Sequence, residues 1–143
     1  MSFVIQPDEL IFRYALQMVG KPYIYGGNNP LTGFDCSGLA IELLVAAGKW
    51  KHGVDANAQA LYNHLRATGK KEMQEGVFGG LAFYGKGVVA VSHVAFCLTD
   101  TLMIEAGGGD AHTKTVEAAA GRNAFVRIRP IKYRWDFLGV LAT

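Results

Sequence analysis

Apolar residues recur at three- and four-residue spacing through Leu10, Ile11, Tyr14, Ala15, Met18 and Val19, the stripe of an amphipathic helix. Pro7, Asp8 and Glu9 precede the stripe, and Gly20 and Pro22 follow it, which predicts a helix over 8–19. Residues 20–33 break the pattern, with Gly26-Gly27-Asn28-Asn29-Pro30 at the centre of a turn-rich loop. From Cys36 to about Ala47 apolar side chains occupy nearly every side, as in a helix buried at the centre of a domain, and Gly48 stops it. A more polar helix is expected over 56–67, with Asp55 or Asn57 as cap and Ala58, Leu61, Tyr62 and Leu65 along one face.

After the linker 69–76 the period changes. Short β-type runs follow at 80–84, 88–98, 102–106 and 125–131. Helices first and strands second argue for an α+β fold, with N-terminal helices packed on a C-terminal antiparallel sheet rather than alternating βαβ units. No internal repeat, low-complexity tract or linker divides the 143 residues, so a single domain over 1–143 is expected.

Composition narrows the classes. Half the residues are apolar and 18% are charged, enough for a real core. The net charge of +2 and the lack of a basic stripe with interleaved aromatics give no footprint of a nucleic-acid partner. Five cations (Arg122, Arg127, Arg129, Lys132, Arg134) share an acid-free C-terminal segment, read first as solvated strand faces and second as an anion-binding surface. The first seven residues lack a cationic, apolar leader pattern. No apolar run approaches the ~18 residues of a membrane span. Cys36 and Cys97 are the two cysteines, and neither lies in a C-x-x-C pair, so neither a disulfide framework nor a metal site is expected.

The sharpest local feature is Gly33-Phe34-Asp35-Cys36-Ser37-Gly38-Leu39. A glycine-rich loop turns there into the buried helix, with Asp35 as natural cap and Cys36 in the first turn. Free N–H groups and the helix dipole favour a thiolate at such a position. The same N–H groups suit the oxyanion of a tetrahedral intermediate, and the bare backbone of Gly33 and Gly38 would let a substrate come close. Against this stands a buried, inert cysteine. A thiol nucleophile needs a base. His52 lies in a Lys-rich turn and His64 on the polar helix, so both are expected in solvent. His93 sits in the apolar strand Ser92-His93-Val94-Ala95-Phe96, where a histidine must be either paired or functional. With Asp100 at the turn of the following hairpin, His93 falls opposite about Gly107, and Glu105 shares its face two residues away. Glu105 is then placed to hold the far imidazole nitrogen, with His112 as fallback. Cys97 shares the parity of His93 but lies four residues along, and is read as core.

These residues resemble the NlpC/P60 cysteine peptidases, a papain-like superfamily that cuts bacterial cell-wall peptides. The resemblance rests on Gly20-Lys21-Pro22-Tyr23-Ile24-Tyr25-Gly26-Gly27, on the segment around Cys36 and on Ser92-His93-Val94-Ala95-Phe96, in the family's order and spacing. It implies Cys36 as nucleophile, His93 as general base, and Tyr23, Asp35 and Ser37 as contacts to a substrate with a free N-terminal L-Ala amine. The implied bond joins γ-D-glutamate to the diamino acid of the stem peptide, with no cofactor. The third catalytic position, usually His and sometimes Asn or Gln, is Glu105 here, which would tend to raise the base pKa. A thiol amidase or acyltransferase on another amide or ester, and a decayed structural module of a phage tail or secretion complex, are the competing readings. Without a leader, a wall enzyme is expected to arrive by lysis, phage or secretion delivery, or to act in the cytosol on released muropeptides. Thirteen of the 18 glycines flank these segments, an excess expected to serve tight turns and open backbone around a substrate cleft.

Overall fold

Alternating apolar runs after residue 80 build the central sheet, and the buried helix packs across it. The computed structural model describes residues 4–143; Met1, Ser2 and Phe3, which open the segment read for a leader, lie outside the described residues. In chain order the elements are α1 (Pro7–Leu16), β1 (Asn28–Asn29), β2 (Gly33–Phe34), α2 (Cys36–Ala46), α3 (Ala58–Ala67), β3 (Leu81–Gly85), β4 (Val91–Cys97), β5 (Leu102–Ala106), α4 (Val116–Gly121), β6 (Val126–Pro130) and β7 (Phe137–Leu141). Strands β3 to β7 form one antiparallel sheet in the order β6-β5-β4-β3-β7. The architecture is α+β.

The two faces of the sheet separate as strand alternation requires. Leu81, Phe83, Val94, Phe96 and Ile104 join Leu39 and Leu43 of α2 and Leu61 of α3 in the main core. Ala82, Tyr84, Ala95, Cys97, Met103 and Val140 point to the other face, where they pack with Ile131 and Phe137. Because β6 and β7 are the two opposite edges, the 131–136 connection has to cross the width of the sheet. It covers this second face.

Two local devices aim the strands. Phe96 pairs with Ile104 and Cys97 with Met103, which centres the β4–β5 turn on Asp100, as the hairpin reading required. At the other end of β4 a bulge intervenes: Tyr84 pairs with His93 but the next residue, Gly85, pairs with Val91. The extra residue lets Val91 join the helix-side core while His93 lies opposite Tyr84, a re-aiming typical of bulges.

Several boundaries differ from the sequence reading. Helix α1 stops at Leu16, yet Met18 stays buried, because residues 17–19 continue as a tight turn of i→i+3 bonds. Strand β4 starts at Val91 rather than Val88, since the 86–90 turn closes on itself through Lys86 and Ala90 and leaves Val88 and Val89 exposed. The 20–33 loop is ordered by the β1–β2 ribbon and by bridges from Pro22 to Phe125 and from Tyr23 to Phe34. Helix α4, capped by Thr115, interrupts the strand half of the chain. Its six residues are too few to show a helical period.

Candidate active site

Helix α2 brings Cys36 to the sheet, and Asp35 sets where that helix begins. One Asp35 oxygen accepts from the Gly38 N–H at 2.8 Å and the other from the Gly26 N–H at 3.0 Å. Ser37 Oγ donates to the first at 3.3 Å. The carboxylate therefore clips the 26–27 turn onto the helix start. Burial pushes the Asp35 carboxyl up, against the three hydrogen bonds that pull it down.

The glycines here are not open to a ligand. A Cβ on Gly38 would run into the Gly27 carbonyl oxygen, and one on Gly33 would stand 2.6 Å from Ile24 Cγ1. Both positions are filled by the protein's own chain, which corrects the expectation that they expose backbone to a substrate. Tyr23 is buried, and Cys36, Asp35 and Asp110 surround it closely enough to reinforce what burial does, raising the phenol well above its usual value. Gly109 lies directly against the Tyr23 ring, where no side chain would fit.

His93 and Glu105 face each other across the hairpin. The ring is 7% exposed and the carboxylate 1%, and Nε2 lies 2.6 Å from Glu105 Oε1. An ionised carboxylate only accepts, so Nε2 carries the proton and Nδ1 is left unpaired, with Cys36 near enough to act on the ring's titration. Burial would push the imidazole down, but Cys36 and Glu105 together outweigh it and raise the ring to about 9. The Tyr84 ring backs His93 at 5.5 Å between centroids.

Behind Glu105 stands a layer that sequence reading missed. Tyr133 Oη donates to Glu105 Oε2 at 2.7 Å. Arg129 Nε lies 3.3 Å from the same oxygen but is not aligned for a hydrogen bond, so that contact is Coulombic. The Arg129 guanidinium also sits 4.6 Å over the Tyr133 ring. Burial works against an ionised Glu105, but His93, Tyr133 and Arg129 together hold its carboxyl below the usual range. Arg134 pairs with Asp136 through two 2.8 Å bonds and lies over the Tyr84 ring. Arg129 and Arg134 are thus folded onto the back of this site rather than spread on a solvated strand face. The run of cations without an acid was the visible signal.

The remaining candidates separate. His52, His64 and His112 are exposed, and the backbone N–H of His112 is tied to Asp110. Glu105, not His112, contacts the imidazole of His93. Cys97 is buried on the second face, where desolvation pushes its thiol up to about 12. A cleft of about 260 Å³ opens beside Asp35 and Ser37, lined also by Tyr25, Asp55 and Asn57. A larger one of about 360 Å³, between α1, the end of α2 and Phe78, holds none of these groups. Among the described residues no cluster of His, Cys, Asp or Glu is arranged to hold a metal, and no helix is long and apolar enough to cross a membrane.

Comparison with known proteins places this geometry among relatives. The profile of the NlpC/P60 family matches residues 20–129. The bifunctional muramidase/DL-endopeptidase CwlT of Bacillus subtilis is 30% identical over 126 residues, covering 87% of this chain and 36% of that protein. The peptidoglycan endopeptidase RipA of Mycolicibacterium smegmatis is 30% identical over 118 residues, 74% of this chain and 22% of that one. The chain thus spans about a third or less of the length of these curated relatives. Among solved structures, the peptidoglycan hydrolase RipB of Mycobacterium tuberculosis superposes with a TM-score of 0.64 at 24% identity, over 96% of this chain and 64% of that one.

Proposed function

The chain belongs to the NlpC/P60 family, and we propose that it is a cysteine endopeptidase acting on peptidoglycan stem peptides. The observation that carries this reading is the buried pair of His93 and Glu105 at 2.6 Å, set beside a cysteine at the N-terminus of α2. CwlT and RipA bear the names of wall endopeptidases, which supports the substrate class. The catalytic unit is the single domain 1–143, and Cys36, His93 and Glu105 are its reacting set.

In the reaction, the Cys36 thiolate adds to the peptide carbonyl and a C–S bond forms. The oxyanion takes N–H groups at the start of α2, ahead of the Gly38 N–H that Asp35 already holds. Collapse breaks the C–N bond, and the Nδ1 proton of the His93 imidazolium goes to the leaving amine. Water then attacks the thioester, gives its proton to the now neutral His93, and the C–S bond breaks to release the acid and restore the Cys36 thiolate beside the imidazolium. Glu105 keeps the ring oriented and offsets its charge throughout. Tyr23, Asp35 and Ser37 bind the substrate side. The half-buried Asp35 and the nearby Asp55 make the adjoining cleft favourable for the free L-Ala amine, so the bond cut is the one from γ-D-glutamate to the diamino acid.

Incubating wild type and Cys36→Ala with purified muropeptides and reading products by mass spectrometry tests the proposal. Release of L-Ala-γ-D-Glu by wild type alone is expected. Equal cleavage by Cys36→Ala would refute it.

A further inference from the structure

A carboxylate, that of Glu105, holds the far nitrogen of the base. A buried carboxylate with no other contact would grip the imidazolium so firmly that the ring could not give its proton to a leaving amine. Here the outer oxygen is not bare: Tyr133 donates to it at 2.7 Å and the Arg129 guanidinium stands at 3.3 Å, while the inner oxygen holds His93. Arg129 comes from the edge strand β6 and Tyr133 from the crossing connection, and neither lines the Asp35 cleft. We propose that Tyr133 and Arg129 are positioning residues that share the charge of Glu105 and so weaken its hold on the His93 proton. The inference rests on His93 serving as the base.

The sign follows from which state each group stabilises. A donor or cation beside Glu105 favours every state in which the pair carries one proton fewer. It helps Glu105 ionise, and it also steadies the lone buried anion left when His93 becomes neutral. Removing it must therefore raise both titrations. The other groups facing the pair do not reverse this. Asp136 on the connection adds negative charge, which favours the imidazolium in parent and variant alike, and Cys36 on α2 is replaced in both. Tyr84 on β3 and Cys97 on β4 stay protonated, their pKa values raised by burial. Arg127, opposite Glu105 on β6, is turned away to Asn123, and Arg134 is paired with Asp136.

The test follows the His93 ring by NMR against pH in the 143-residue chain carrying Cys36→Ala and Cys36→Ala/Tyr133→Phe. The double variant is expected to titrate about one pH unit higher, roughly tenfold in proton affinity. Arg129→Gln in the same background moves it the same way, and Arg129→Lys, which keeps the charge, stays near the parent. In the proteins with Cys36 intact, the descending limb of kcat/KM on a muropeptide moves to higher pH with Tyr133→Phe. A titration that coincides with the parent or falls, even with a lowered melting temperature, overturns the proposal and makes Tyr133 a mere cover. The NMR readout needs no turnover, so a failure to cut muropeptides would count against the peptidase reading without touching this one.

Discussion

Gly38→Ala is the smallest change that should unseat the site without altering any reacting atom. The added Cβ would overlap the Gly27 carbonyl oxygen and stand 2.9 Å from Asp35 Oδ1, against the roughly 3.5 Å at which such atoms sit comfortably. Nothing at the helix start is soft, since both neighbours are backbone or a carboxylate fixed by three hydrogen bonds. The 26–27 turn must therefore retreat, which strains the Asp35 N–H bond to the Gly27 carbonyl and the Gly26 N–H bond to Asp35. Overpacking costs about 1–3 kcal/mol, and two weakened hydrogen bonds add about 1 kcal/mol each. A total loss of about 3 kcal/mol corresponds to a melting temperature lower by about 6–12 °C for a chain of this size. Gly87→Ala is the control, because a Cβ there meets nothing within 4 Å. Scanning calorimetry of the three proteins decides the matter: a Gly38→Ala melting temperature matching wild type and Gly87→Ala would show that the helix start is not built by this contact. Activity on a muropeptide should fall with stability in Gly38→Ala and stay unchanged in the control.

Two further outcomes follow from the buried ionisable groups. The rise of His93 from 6.5 to about 9 amounts to about 3 kcal/mol of stability, fully present below about pH 6.5 and lost as pH climbs through about 9. Glu105→Gln should flatten that alkaline decline in a melting curve series between pH 6 and 10, and a decline as steep as in wild type would remove Glu105 from the coupling. Cys97, fully buried with its thiol pushed up to about 12, should resist alkylation in the native protein while Cys36 reacts. Intact mass after brief iodoacetamide treatment should show one added group, and rapid addition of two would contradict the burial described for β4.

Much of the site was legible because its parts are local. The cap, the cysteine and the helix they start occupy consecutive positions, and hydrogen bonds of the cap act over three residues. The His93–Glu105 pair was legible too, since a hairpin with its turn at Asp100 leaves side-chain parity little freedom. The bulge that swings Val91 to the opposite face from His93 left no such mark. Its cause is pairing with β3, six residues earlier at the nearest point, and the apolar run 88–91 reads equally well as plain strand. The glycines show the same limit: their number signalled close approach, but only the fold reveals that Gly38 receives the Gly27 carbonyl and Gly109 the Tyr23 ring.

What the sequence determined by itself was therefore α1 to α3, the strands β3 to β6, the α+β class and the positions of Cys36 at a helix start and of His93 facing Glu105, because propensity, capping and alternation act within a few residues. What only the tertiary structure decided was the company those residues keep. Tyr133 reaches Glu105 across 28 positions of chain because β6 and β7 take opposite edges of the sheet and force their connection over the face between. No local pattern encodes that crossing, which follows from strand order and the need to cover an apolar face.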